Sequence, residues 1–150
     1  MAGTSAGTRG IALTDRQRIA WLRLIRSDNV GPVTFRDLIN HFGSAEAALE
    51  ALPELSARGG STRAIRVAGR AEAEAELEIA NRFGSRFIGI GEPDYPFALK
   101  QIEGAPPLIA AKGAADICQQ PAIGMVGSRN CSISGAKLTA MLAHDIGRAG

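Results

Sequence analysis

The sequence predicts an α/β chain: a small all-helical domain, then the start of a strand-and-helix domain. Three observations carry this. Up to about residue 83, apolar residues recur at helical spacing. From Phe87 on, short apolar runs alternate with turn residues. A polar loop opened by glycine, residues 127–132, then leads into a last helical stretch. The expected division is a flexible N-terminus over residues 1–13, a helical domain over 14–83 and a second domain over 84–150.

Thr14 and Gln17 form a capping box, so a helix starts there. Ile19, Leu22 and Ile25 share one face, flanked by Trp21 and Leu24. Asn29-Val30-Gly31-Pro32 ends this helix, and Thr34 is expected to cap the next. Phe35, Leu38, Ile39 and Phe42 follow as a buried stripe at i, i+3, i+4 and i+7. Gly43 stops it. Ser44 caps a third helix, in which Ala45, Ala48, Leu49 and Leu52 repeat the spacing, and Pro53 opens a further short turn or helix through Leu55. Gly59-Gly60 is a break. A long helix is expected from about Thr62 to Phe83, with Ile65, Ala68, Ala75, Ile79 and Phe83 on its face and Gly84 as its stop. Glu72, Glu74, Glu76 and Glu78 read as its solvated side. Strands are expected at Phe87–Ile90, Pro107–Ala111 and Ala122–Val126, and a final helix from Ile133 to Arg148.

Of the 150 residues, 45% are hydrophobic and 5% aromatic, enough for one compact domain or two very small ones. The net charge is +2. Residues 1–80 balance ten Arg against ten Asp/Glu, and residues 81–150 carry seven Lys/Arg against five Asp/Glu. This excludes the broad basic surface of a non-specific duplex binder. A nucleic-acid contact must come from a few placed groups. Cys118 and Cys131 lack metal or redox spacing, which fits a reduced, cytoplasmic setting. The Gly/Ser/Thr/Ala-rich start lacks the apolar core of a signal peptide. No run approaches the roughly 20 apolar residues of a membrane span.

The segment from Ala122 to Gly135 carries the chemistry. An apolar run leads through Gly127-Ser128-Arg129-Asn130 and Cys131-Ser132 into a helix. Such an arrangement builds an anion site. Gly127 lets the backbone turn and a phosphate approach. The free amides at the helix start point at the same space. Ser128 and Ser132 supply hydroxyl donors, Arg129 a guanidinium fork suited to phosphate, and Lys137 a charge at the rim. The pattern is neither G-x-G-x-x-G nor a Walker loop.

Asn29 to Phe35 follows a helix-hairpin-helix plan, which can offer amides to a DNA phosphate. The hairpin has Asp28 and Asp37 at its flanks and only Arg36 as a close cation, so a packing corner between helices is the favoured reading. His41 and His144 have no carboxylate or thiol cluster at ligand spacing. No nucleophile–base pair is evident.

Three ordered segments then resemble one family. Glu92-Pro-Asp-Tyr-Pro-Phe-Ala-Leu-Lys-Gln-Ile102, Pro106-Pro-Leu-Ile-Ala-Ala-Lys-Gly113 and Met125-Val-Gly-Ser-Arg129 are similar to the core pattern of the DNA-processing protein A (DprA/Smf) family. Val30-Gly-Pro, the run Phe42 to Leu49 and Pro53-Glu-Leu55 resemble its N-terminal sterile-alpha-motif-like (SAM-like) domain. The resemblance implies a Rossmann-like parallel-sheet domain after the helical one, and a chain that is the front portion of a longer protein. It also implies single-stranded DNA binding and loading of the RecA recombinase during natural transformation, with no catalytic step, cofactor or metal. A homodimer of the full-length protein is a further implication. DNA-binding residues are expected at Gly127, Ser128, Arg129, Asn130, Ser132, Gly135 and Lys137. The chain departs from the family at Ser134-Gly135, where many members carry Tyr-Gly. The alternative is a nucleotide-binding Rossmann-like enzyme of phosphoribohydrolase type, its phosphate held by the same loop.

Overall fold

The computed structural model describes residues 12–58 and 65–149. They fall into two compact units, one ending at Gln120 and one beginning at Pro121. The first unit holds four helices, α1 (Asp15–Arg26), α2 (Pro32–Phe42), α3 (Ala45–Arg58) and α4 (Arg70–Arg82), then β1 (Ser85–Gly89), a short α5 (Phe97–Lys100), β2 (Leu108–Lys112) and a 3-10 turn at Ala115–Gln119. The second holds α6 (Ile133–Ala149).

The capping box at α1 forms as expected: the Gln17 amide donates to the Thr14 hydroxyl and the Thr14 amide to the Gln17 side chain. Gly43 ends α2 at φ 78°, a left-handed cap that glycine adopts without steric cost. The Ala47 amide donates to the Ser44 hydroxyl at the start of α3. Two details differ. Gly31, not Thr34, is the N-cap of α2, because Pro32 at the first helical position has its φ pre-set and no amide to satisfy. Pro53 does not open a new turn. It lies inside α3, where Leu49 and Leu52 on the preceding turn are anchored in the core.

Two apolar clusters share α1. Ala20 and Leu24 pack with Phe35 and Leu38 of α2 and Ala45, Ala48, Leu49 and Leu52 of α3. Leu22 packs instead with Ala73 and Ala80 of α4 and Phe87 of β1. Leu22 and Leu24 are among the most deeply buried side chains, at 1% and 0% exposure.

The fourth helix begins at Arg70, not near Thr62; residues 59–64, including Gly59-Gly60, lie outside the described residues. Tertiary bonds explain the late start. Residues 65–69 run without regular structure against the end of α1. Asp28 and Arg66 exchange bonds through the Asp28 amide and carboxylate. The Ala68 amide donates to the Ser27 hydroxyl, and Arg23 donates to the Ala68 carbonyl. Gly69 then caps α4. The buried face of α4 is Ala73, Leu77 and Ala80, at i, i+4 and i+7, rather than the expected Ala75, Ile79 and Phe83. Ile79 and Phe83 are 55% and 68% exposed.

β1 and β2 pair antiparallel, from Ser85 opposite Lys112 to Gly89 opposite Leu108. The expected parallel arrangement is not what this pair adopts. A parallel pair needs a crossover of a dozen or more residues, usually helical. The connection here contains Gly91, Pro93, Pro96, Gly104, Pro106 and Pro107, and manages only the four-residue α5. It turns back instead. The Tyr95 hydroxyl donates to the Pro106 carbonyl at 2.7 Å, and the Ile90 amide to the Pro107 carbonyl at 2.9 Å. Gly89 is close-packed: a Cβ there would lie 2.5 Å from Leu13. The third expected strand, Ala122–Val126, is irregular backbone, and no strand partner for it is described in its unit. The fold is thus mixed α/β: a helical domain followed by a small two-stranded antiparallel sheet and helices.

Candidate nucleic-acid interface

The expected site residues lie together in the second unit because they are nearly contiguous. Residues 121–128 are irregular, Arg129 and Asn130 form a turn, and α6 starts at Ile133. The Asn130 amide donates to the Ser128 hydroxyl at 3.2 Å. The Gly135 amide donates to the Ser132 hydroxyl at 3.1 Å, and the Ala136 amide to the Ser132 carbonyl at 2.9 Å. Ser132 is therefore the cap of α6. Each hydroxyl accepts a bond from its own loop and keeps its hydrogen for an outside acceptor.

Two amides at the helix start are thus taken up by the chain. Those of Ile133 and Ser134 have no partner among the described residues. Arg129 and Lys137 are exposed, and among the described residues neither forms an ion pair. Gly135 is half-buried under the cap, where a Cβ would sit 3.4 Å from the Ser132 hydroxyl. Gly127 differs from expectation. It does not adopt a positive φ, and a Cβ there would meet nothing within 4 Å. The turn is made by Arg129-Asn130 instead. Beside the loop lies an open hollow of about 520 Å³, with Met125, Val126, Ala136 and Ala140 as apolar lining and Ser128 and Thr139 as polar groups.

The Asn29–Phe35 corner is a packing joint. Val30 is buried in the core, Asn29 takes φ 62°, and Asp28 is engaged by Arg66. Arg36 is exposed. The acidic residues of α4 are each engaged: Glu72 by Arg66, Glu74 by Arg70, Glu76 by Arg26 and Glu78 by Arg82. The bond to Glu76 raises the Arg26 pKa above its ordinary value, as the bond to Glu72 does for Arg66.

Sequence reasoning missed Glu92. Its carboxylate, only 8% exposed, accepts from Arg18 at 2.7 Å, the Leu13 amide at 3.0 Å and the Gly89 amide at 2.6 Å. Gln119 was also missed. Its amide group donates to the Tyr95 carbonyl at 3.1 Å. Gly89 is three residues from Glu92, but Arg18 and Leu13 lie more than 70 positions away, and the Gln119 partners more than 20, so sequence spacing does not reveal these bonds. His41 rests edge-on against Phe42, His144 is exposed, and Cys118 and Cys131 are free. Among the described residues no cluster of His, Cys, Asp and Glu is placed to hold a metal ion, and no helix is long and apolar enough to cross a membrane.

Two family models match the chain in succession. One, a DprA-like N-terminal HHH domain, matches residues 15–79. The other, DNA recombination-mediator protein A, matches residues 86–150. No curated protein matches the chain. The helical half and the segment bearing the Gly-Ser-Arg loop are matched in the order expected of one family. The chain belongs to the DNA recombination-mediator protein A family, whose members serve in DNA processing.

Proposed function

We propose that the chain binds single-stranded DNA at the loop and helix start spanning Gly127 to Lys137, and contributes to loading the RecA recombinase on that strand during natural transformation in the cytoplasm. The observation that carries this reading is the pairing of Arg129 and Lys137, exposed and without ion pairs among the described residues, with the open Ile133 and Ser134 amides. A phosphate oxygen would be held by those amides and by the Ser128 and Ser132 hydroxyl hydrogens, with Arg129 neutralising its charge. Asn130 and Gly135 shape the turn and cap. The apolar hollow beside the loop offers bases a loosely selective surface, so sequence preference is weak. The role is binding rather than catalysis, and no cofactor enters it. Dimerisation would set two such sites along one strand.

The test is fluorescence anisotropy of labelled oligo-dT with the wild type and Arg129→Ala. Saturable binding that weakens in the variant supports the site. Wild-type binding that Arg129→Ala leaves unchanged at moderate salt removes it.

A further inference from the structure

The first unit carries a groove that the proposed DNA site does not use. It holds about 350 Å³ between α1, α2 and the connection from β1 to β2. Trp21, Phe35 and Ile39 line one side, and Ile90, Ile102 and Pro107 line the other. Trp21 and Phe35 meet edge to face, their centroids 4.9 Å apart, which fixes the indole. Phe35 is buried, while Trp21 and Ile39 remain half-exposed.

The charges at this groove are unusual for the unit. Arg16, Arg18, Arg26, Arg66, Arg70, Arg82 and Arg86 all form ion pairs. Arg23 is bonded to the Ala68 carbonyl. Arg36 and Lys100 both line the groove, both are exposed, and among the described residues neither has an acidic partner. No Asp or Glu is among the lining residues. The groove is therefore mainly apolar along its walls, and its two lining cations have no ion-pair partner among the described residues, although the exposed Asp37 and Glu103 are their neighbours in sequence.

We propose that this groove docks a partner protein through a short acidic peptide segment bearing one or two large apolar side chains. The apolar side chains fill the space between Trp21, Ile39 and Ile102. The acidic ones meet Arg36 and Lys100 at the rim. This occupant satisfies both features at once. A nucleic-acid strand would find only two cations there and would leave the aliphatic walls of Ile39, Ile90 and Ile102 against water.

Trp21 is the single tryptophan of the chain, so its emission reports on the groove directly. The experiment titrates the whole chain with a set of synthetic peptides of about nine residues, each alternating Asp with Phe, Leu or Ile. Controls carry Lys for Asp, Ser for the apolar residues, or replace the peptide with oligo-dT. The expected result is a saturable shift in Trp21 emission with acidic apolar peptides only. Affinity should fall about tenfold or more in the exposed-site double variant Arg36→Glu, Lys100→Glu, and circular dichroism checks that this variant keeps its fold. A comparable response to the Lys peptides, no response to any acidic peptide, or a response to oligo-dT in place of peptide would each overturn the proposal.

Discussion

Arg18 on α1 donates to the Glu92 carboxylate at 2.7 Å across 74 positions of sequence. The same carboxylate holds the Leu13 and Gly89 amides, so one side chain fastens the start of α1 to the end of β1. Three donors on a nearly buried acceptor make it costly to remove. Glu92→Ala should lower stability by about 2–3 kcal/mol, and Glu92→Gln, which keeps an acceptor oxygen, by less. Urea denaturation with an unchanged slope checks this.

Tyr95 joins two of the segments that carry the family resemblance, its hydroxyl bonded to the Pro106 carbonyl. Tyr95→Phe should cost about 1 kcal/mol in thermal or chemical denaturation. Burial also raises the Tyr95 pKa above its ordinary value. Because the folded phenol holds its proton longer than the unfolded one, its stabilising contribution is full below the ordinary value of about 10 and is lost as pH rises through the folded value. The wild type should therefore lose more stability than Tyr95→Phe in alkaline solution, a difference that melting curves above neutral pH can read.

Leu24→Ala and Leu22→Ala each empty a different cluster. Both should cost about 2–5 kcal/mol in equilibrium unfolding. The Leu22 variant should perturb Phe87 resonances in β1, whereas the Leu24 variant should perturb those of Phe35 in α2.

Gly89→Ala should destabilise modestly, by up to about 1 kcal/mol, because the new methyl meets the tip of the half-buried Leu13 side chain, which must turn aside. Gly127→Ala, in contrast, should be tolerated, since space is open there. Paired thermal melts of the two variants separate a packing glycine from a conformationally neutral one.

If Arg129 and Lys137 each neutralise a phosphate, each alanine variant should flatten the dependence of log affinity on log salt by about 0.7 on a single strand. Lys112→Ala, at the end of β2 in the other unit, should leave that slope unchanged. Anisotropy titrations of oligo-dT over a salt series measure all three.

Much of the helical half is legible in the sequence because its signals are local. Thr14 with Gln17, the Phe35–Phe42 stripe, Gly43 and Ser44 each act within a few residues. The start of α4 is not legible, because Ser27 and Asp28 claim residues 66–68 from a distance. Strand direction is equally hidden. The β1 and β2 runs are recognisable, but Tyr95 and Pro106 turn the chain between them. At the candidate interface, the grouping of Ser128, Arg129 and Ser132 is legible because the residues are neighbours. The share of amides that Ser132 takes for itself depends on geometry that spacing alone does not determine. The turn at Glu92 is legible, but its bonds to Arg18 and the Leu13 amide are not, because both partners lie more than 70 positions away.

The position of α1, with Leu24 in one cluster and Leu22 in the other, has a kinetic consequence. Neither layer can open without stripping a flank from this helix. Its amide protons should exchange with solvent only when the whole first unit opens, making α1 the slowest-exchanging element of the chain, while the exposed turns of α6 lose their protons far sooner.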